Sequence, residues 1–218
     1  MSGLTIEFRC CTSCGLRYPI TQGHGFGIRC PHCLGATEIA RTSTIHTEAM
    51  VREKPLKKAG AARAILLDNI RSAWNVGSIL RSADGFGFEH AYLCGITPSP
   101  ENEAVTKTSL GAEDYVTWSE HKDAVKLVKG LKKEGWKIFA LEENPRAKEI
   151  GRAISAADER TVLLLGSEVS GVDPDLLDLC DEVFYIPMQG QKRSFNVAIA
   201  FSIAAYAMTV NESLPGLS

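Results

Sequence analysis

No apolar run in the sequence reaches the roughly 20 residues that a helical membrane span requires. The most apolar stretch, Val197 to Val210, is shorter and begins directly after Asn196. The first residues, Met1-Ser-Gly-Leu-Thr-Ile-Glu-Phe-Arg9, lack the basic and then apolar pattern of a secretory leader. A membrane partner is therefore not expected, and a cytoplasmic location is. Surplus charge is also missing: 24 Lys and Arg face 26 Asp and Glu, a net charge of −2. The chain is no polycation, so any nucleic-acid contact must come from a local patch. What remains is ordinary globular composition, 44% hydrophobic and 23% charged, and 218 residues suit one domain with a small appendage.

Cysteine, by contrast, is plentiful for a chain without an export signal. In a reducing compartment, paired cysteines hold metal more often than they form disulfides. Cys11-Thr-Ser-Cys14 and Cys30-Pro-His-Cys33 are two C-x2-C knuckles separated by 15 residues, the spacing of a four-thiolate zinc ribbon. Too few apolar residues precede Glu38 for an independent core, so Zn2+ held by Cys11, Cys14, Cys30 and Cys33 would supply the folding energy. The glycine-rich segment around His24 is expected to pair as a short hairpin, and Cys10 has no partner thiol in the pattern. The ribbon is assigned to residues 1–38. Residues 39–60 read as a basic linker: between Ile39 and Arg63, six Lys and Arg stand against Glu48 and Glu53. A solvated surface and a phosphate-contacting segment are both open to it.

From residue 61 to 218 the pattern alternates apolar strands with helices, which predicts an α/β domain on a mostly parallel sheet. Ala64–Asp68, Ala91–Gly95, Lys137–Leu141 and Thr161–Glu168 read as strands. A helix opens near Asn75, with Val76, Ile79, Leu80 and Ala83 at helical spacing. Gly85-Phe-Gly87 falls at that helix's end and reads as a C-cap, not a dinucleotide fingerprint. Lys107–Ala112 reads as a small-residue loop, and Ser119 as the cap of the next helix. Asp173-Pro174 opens a brief one. Cys94 and Cys180 read as core thiols.

The stretch that organises the domain is Ile186-Pro-Met-Gln-Gly-Gln-Lys-Arg-Ser-Phe-Asn-Val197. An apolar strand ends at Pro187-Met188, a turn follows at Gly190, and Ser194 is placed to cap a helix that is apolar on every side. Such a helix packs on its own sheet and on a second subunit. Polar loops between strand ends and helix starts are where open α/β sheets bind ligands.

Three blocks then occur in order: Asn75-x-Gly77-x3-Arg81; Leu165-Gly-Ser-Glu168-x2-Gly171; and Ile186-Pro-Met188 with Ser194-Phe-Asn196-Val197. Together they resemble the motifs of the SpoU (TrmH-like) RNA ribose 2′-O-methyltransferases of the SPOUT superfamily, over Ala64 to Val210. The resemblance implies a C-terminal trefoil knot, S-adenosylmethionine held in it, and a homodimer with composite sites. It implies tRNA or rRNA as the methyl acceptor, with a non-catalytic RNA-binding protein on the same scaffold as the rival reading. Arg81 would act as the base, the family's assignment, or would anchor a phosphate and stabilise the developing alkoxide, since free guanidinium holds its proton to above pH 12 or so. Asn75 would orient Arg81, Glu168 would pair with an arginine or brace the loop, and Ser194 and Asn196 would supply hydrogen bonds at a helix start. The cofactor would lean on backbone at Leu141, Glu142, Gly166, Ile186 and Phe195. Phe195 stands where the family commonly has Leu, and Val169 where it has Gly. Trp74, beside Asn75, suits either a stacking role on a base or a packed one.

Overall fold

A computed structural model of the chain describes residues 3–46, 62–151 and 160–210. It divides into two compact units near Pro55. In the first, β1 (Gly3–Cys11) is the middle strand of a three-stranded antiparallel sheet, flanked by β2 (Arg17–Thr21) and β3 (Thr37–His46). The expected hairpin inside the inter-knuckle segment is replaced by pairing of β2 back onto β1, and a single 3-10 turn (Gly25–Gly27) carries the glycines. Strand β3 runs through residues 39–46, where the linker was expected to begin, because this Thr- and Ile-rich segment continues the antiparallel ladder with β1 as far as the Gly3–His46 pair. The rest of that stretch, 47–60, lies outside the described residues.

The second unit is built on seven parallel strands in the order β6-β5-β4-β9-β7-β10-β8. These are β4 (Ala62–Asp68), β5 (His90–Cys94), β6 (Thr117–His121), β7 (Lys137–Leu141), β8 (Lys148–Glu149), β9 (Arg160–Leu165) and β10 (Glu182–Tyr185). The central strands β4 and β9 are buried on both faces, as their unbroken apolar runs require. Helices α1 (Ala73–Gly85) and α5 (Val197–Val210) cover one face, where Val76, Ile79, Leu80 and Ala83 meet Phe201, Ala204, Ala205 and Met208. Helices α3 (Ala124–Lys133) and α4 (Pro174–Leu179) cover the other, through Val128, Leu131 and Leu176. Among the described residues no helix is long and apolar enough to cross a membrane.

Two local expectations are corrected. The segment at Lys107 is not a loop but the end of α2 (Glu103–Ser109). Asn102 caps it through Ala104 N–H, and Glu103 pairs with Lys107 one turn on at 3.1 Å. Seven residues are too few to show a period. Ser119 is not a helix cap either; it lies in β6, its hydroxyl 2.8 Å from both His90 Nε2 and His121 Nε2. The cap of α3 is Asp123, which accepts from Lys126 N–H at 2.9 Å. Burial pushes the Cys94 thiol up to about 12 and the Cys180 thiol up to about 11, so both are unreactive core thiols.

Candidate functional site

The strand order reverses direction around β4 and β9, and the loops leaving the carboxyl ends of β9, β7 and β10 gather there. They enclose a cavity of about 1140 Å³. Its walls come from Leu141–Glu143, Leu165–Glu168 with Gly171, and Tyr185–Val197 apart from Gln189, with Ala200 of α5. All five positions expected to hold a cofactor, Leu141, Glu142, Gly166, Ile186 and Phe195, line it.

The loop after β9 is held in shape by its own packing. A Cβ on Gly166 would collide with the backbone of Gly171 and Val172. The close approach that demands glycine at 166 is therefore loop on loop. Glu142 completes the clamp. Its Oε2 accepts from Val172 N–H at 2.9 Å, its Oε1 from Glu143 N–H at 3.2 Å, and its own N–H donates to Phe184 O at 2.8 Å. Gly166→Ala should lower the unfolding free energy by about 2–3 kcal/mol, because backbone rather than a flexible side chain has to move. A urea midpoint equal to wild type would show that the loop yields freely.

The three sequence blocks meet at the edge of this cavity. Asn196 Nδ2 donates to Asn75 Oδ1 at 3.0 Å, and Asn75 Nδ2 donates to Glu168 Oε1 at 2.9 Å. The two links span 121 and 93 residues of sequence. Glu168 also accepts the backbone N–H of Arg71 at 3.0 Å and of Ser72 at 3.4 Å, so it ties down the entry to α1. These are orphan donors at a helix start, where a carboxylate is stabilising. Arg71 and Ser72 carry no motif of their own, and only the fold reveals their part. The expected cap of α5 is corrected: Asn196, not Ser194, precedes the first helical residue, and its Oδ1 accepts from Ala198 N–H at 2.9 Å. Ser194 lies two residues earlier, exposed in the cavity wall.

Burial by itself would raise the Glu168 carboxyl, but the Arg71 amide, the Asn75 side chain and the Ser72 amide together outweigh it and hold it below the usual glutamate range. A carboxyl depressed in the fold stabilises it above the unfolded value of about 4.3, and that contribution fades as pH falls through the lower folded value. Glu168→Gln should thus lower the urea midpoint near neutral pH, with the gap to wild type closing below about pH 4. A gap independent of pH would mean that charge plays no part.

Arg81 stands apart. It lies about 120° round α1 from Asn75 and about 9 Å further along. It is exposed, does not line the cavity of its own chain, and its side chain makes no hydrogen bond or ion pair among the described residues. Its neighbour Ser82 faces α5 instead, accepting from the Ser202 hydroxyl at 2.9 Å. Gly77, between Asn75 and Arg81, is required by helix packing: a Cβ there would strike Thr108 and the carbonyl of Val105 in α2. Trp74 is exposed rather than packed.

In the first unit, the four predicted sulfurs converge. Cys11 Sγ is 3.4 Å from Cys33 Sγ, Cys14 Sγ is 3.8 Å from Cys30 Sγ, and all four lie within 4.8 Å of one another. A tetrahedral Zn–S bond of about 2.3 Å places sulfurs about 3.8 Å apart, so the cluster fits Zn2+ and is far too open for disulfides. The Cys14 amide points at Cys11 Sγ from 3.5 Å and pulls that thiol down to about 6, while, against a backbone bond from Leu16, the neighbouring sulfurs push Cys14 up to about 12. His32 N–H similarly faces Cys30 Sγ at 3.4 Å.

Residues 62–206 match the model of the SpoU rRNA methylase family. The chain is 31% identical over 171 residues to the 23S rRNA (guanosine(2553)-2′-O)-methyltransferase RlmP of Bacillus subtilis, covering 77% of this chain and 66% of that one. It is 28% identical over 162 residues to a tRNA (guanosine(18)-2′-O)-methyltransferase of Thermus thermophilus, covering 73% of this chain and 81% of that one. The chain thus spans just under two thirds of the length of the Bacillus relative. Among solved structures, an AdoMet-bound rRNA methyltransferase from Sinorhizobium meliloti superposes with a TM-score of 0.66 at 22% identity, over 73% of this chain and 60% of that one. The match to the family model covers all seven strands of the sheet, α1, most of α5 and all three sequence blocks, and the chain belongs to the SpoU rRNA methylase family.

Proposed function

We propose that the protein transfers a methyl group from S-adenosylmethionine to a ribose 2′-hydroxyl of tRNA or rRNA. The observation that carries this reading is the bonded series Asn196–Asn75–Glu168, which joins residues of all three family blocks at the mouth of one cavity. The cofactor would supply the methyl on a sulfonium, whose positive charge provides the driving force. The chain's part is to hold the two partners in line and to manage one proton. Leu141, Gly166, Ile186 and Phe195 offer apolar wall and open backbone for the donor. Glu142 is engaged in bracing the loop, so it shapes this wall rather than gripping the ligand. Lys192 and Arg193, both exposed in the wall, suit an RNA phosphate. The C-terminal threading implied by the family would hold these loops crossed.

Arg81 is assigned to the acceptor hydroxyl, as phosphate anchor and stabiliser of the alkoxide. Because its own chain's cavity does not include it, the site is read as composite, with Arg81 reaching the cavity of a second copy. The apolar helix α5 supports a homodimer: Ile199 is 52% exposed and Tyr206 57% exposed, and both would be covered by a partner. Zn2+ on the four thiolates would be structural.

The test is transfer of tritiated methyl from S-adenosylmethionine to total RNA lacking its 2′-O-methyl marks, with the acceptor located by nuclease mapping. Label at the ribose oxygen of one nucleotide is expected. Tight RNA binding with no transfer under any condition would favour the non-catalytic reading.

A further inference from the structure

The catalytic reading leaves one surface of the ribbon unit unused. At its tip, His24, Phe26, Ile28, Arg29 and Leu34 line a shallow, open hollow of about 430 Å³ whose exposed wall is almost wholly apolar. Phe26 is 48% exposed, Ile28 78% and Leu34 62%, a costly display in a unit whose only fully buried apolar side chains are Cys11 and Cys30 among the described residues. Leu34 is also strained. Its φ of +61° lies in the left-handed region that glycine or asparagine normally occupies, and there it points a branched apolar side chain at solvent. The same turn recurs in the first knuckle, where Gly15 has a φ of +74° and donates its N–H to Cys11 O at 3.0 Å, as Leu34 N–H does to Cys30 O at 2.9 Å; the knuckle fixes the backbone, and a leucine where glycine would fit puts an apolar side chain beside the hollow.

The aromatic side of the hollow is rigid. The His24 ring stacks on Phe26 with centroids 5.5 Å apart and planes 29° from parallel. His24 Nδ1 accepts from Phe26 N–H at 3.2 Å, Tyr18 OH donates to Phe26 O at 2.6 Å, and Thr37 Oγ1 donates to Gly27 O at 2.8 Å. The backbone that carries Phe26 is thus held before anything binds and its ring already packs on His24, which lowers the ordering cost of stacking. Charge identifies the occupant. No carboxylate lines the hollow, Arg29 is exposed there without an ion pair among the described residues, and Arg17 and Arg41 are exposed on the same unit against Glu38 alone. The other acid among the described residues of this unit, Glu7, is buried against Arg9 at 2.5 Å.

We propose that this tip receives an unpaired nucleotide of the RNA substrate, with the base on Phe26, flanked by Ile28 and Leu34, and the phosphate at Arg29. Single-stranded RNA is bound in this way by aromatic faces beside cationic side chains, whereas a duplex hides its bases. The inference rests on the RNA reading above and deepens it.

The experiment measures binding of the full chain to a short labelled single-stranded RNA and to the matching duplex. Phe26→Ala should weaken the single strand about tenfold and the duplex hardly at all. Arg29→Ala should reduce the slope of log affinity on log salt by about one contact's share. Leu34→Gly separates binding from folding: it relieves the positive φ, so zinc content and melting temperature should hold or rise while affinity for the single strand falls. A purely structural Leu34 would show the opposite. Unchanged single-strand affinity in Phe26→Ala and Arg29→Ala overturns the proposal, as does a change in sedimentation mass without a change in RNA affinity, which would assign the surface to a second copy. Methyl transfer is scored separately. Methylated RNA with unaltered binding by the variants defeats the tip alone, and altered oligonucleotide binding without transfer to any RNA defeats the catalytic reading alone.

Discussion

Arg81→Ala is expected to lower methyl transfer by about two to three orders of magnitude, the scale on which loss of a single transition-state donor is felt. Stability should not move, because the side chain is exposed and unpartnered among the described residues. Binding of S-adenosylmethionine should also persist, since Arg81 is absent from the cavity wall of its own chain. Arg81→Lys should rescue poorly, as an ammonium cannot reproduce the planar fork. Mixed subunits then locate the contribution. Pairing an Arg81→Ala chain with an Asn196→Ala chain leaves one intact site if Arg81 serves the neighbouring cavity, and about half of wild-type turnover should return. If Arg81 serves its own cavity, both sites carry a lesion and no activity returns. Full turnover by Arg81→Ala alone would remove the residue from the reaction.

Metal removal is expected to unfold the first unit while leaving the seven-stranded sheet folded. The reason is the near absence of a core. Among residues 3–46 only Glu7, Cys11 and Cys30 are fully buried, and the three strands by themselves bury no large aliphatic or aromatic side chain completely. Structural zinc contributes on the order of 10–16 kcal/mol in comparably small units, far more than a two-sided polar sheet can replace. A strong chelator should therefore expose Cys11, Cys14, Cys30 and Cys33 to thiol reagents and collapse the dispersed amide signals of β1–β3. The main melting transition should stay where it was. Retention of the β1–β3 signals in metal-free protein would show that the ladder stands without the ion.

The convergence of Cys11, Cys14, Cys30 and Cys33 was legible in the sequence because its chemistry is local: C-x2-C dictates geometry within a few residues. The parallel sheet was legible for a similar reason, since strands buried on both faces read as unbroken apolar runs, as in Ala64–Leu67 and Val162–Leu165. Short elements were not. The helix Glu103–Ser109 spans too few turns to display a period, and Ser119 looked like a cap until a cross-strand pair of histidines claimed its hydroxyl. At the site, Asn75, Glu168 and Asn196 carried visible motif signals, yet nothing local shows that they bond to one another. The reason for glycine at 166 was likewise hidden, because the obstructing backbone belongs to residues further along the same loop. Arg71 contributes only an amide hydrogen to the site, which every residue but proline possesses, and Ser72 adds to its own amide a hydroxyl that caps α1 by accepting from Asn75 N–H at 3.3 Å.

The long reach of the Asn196–Asn75–Glu168 links has a consequence for the newly made protein. A ribosome releases Asn75 well before Glu168 and Asn196, so a nascent chain carries only half-assembled fragments of the pocket until α5 has emerged. Pairings this distant, in an all-parallel sheet, form slowly. Methylating capacity should therefore appear only after synthesis has passed α5, and immature chains still on the ribosome would have no means of modifying RNA.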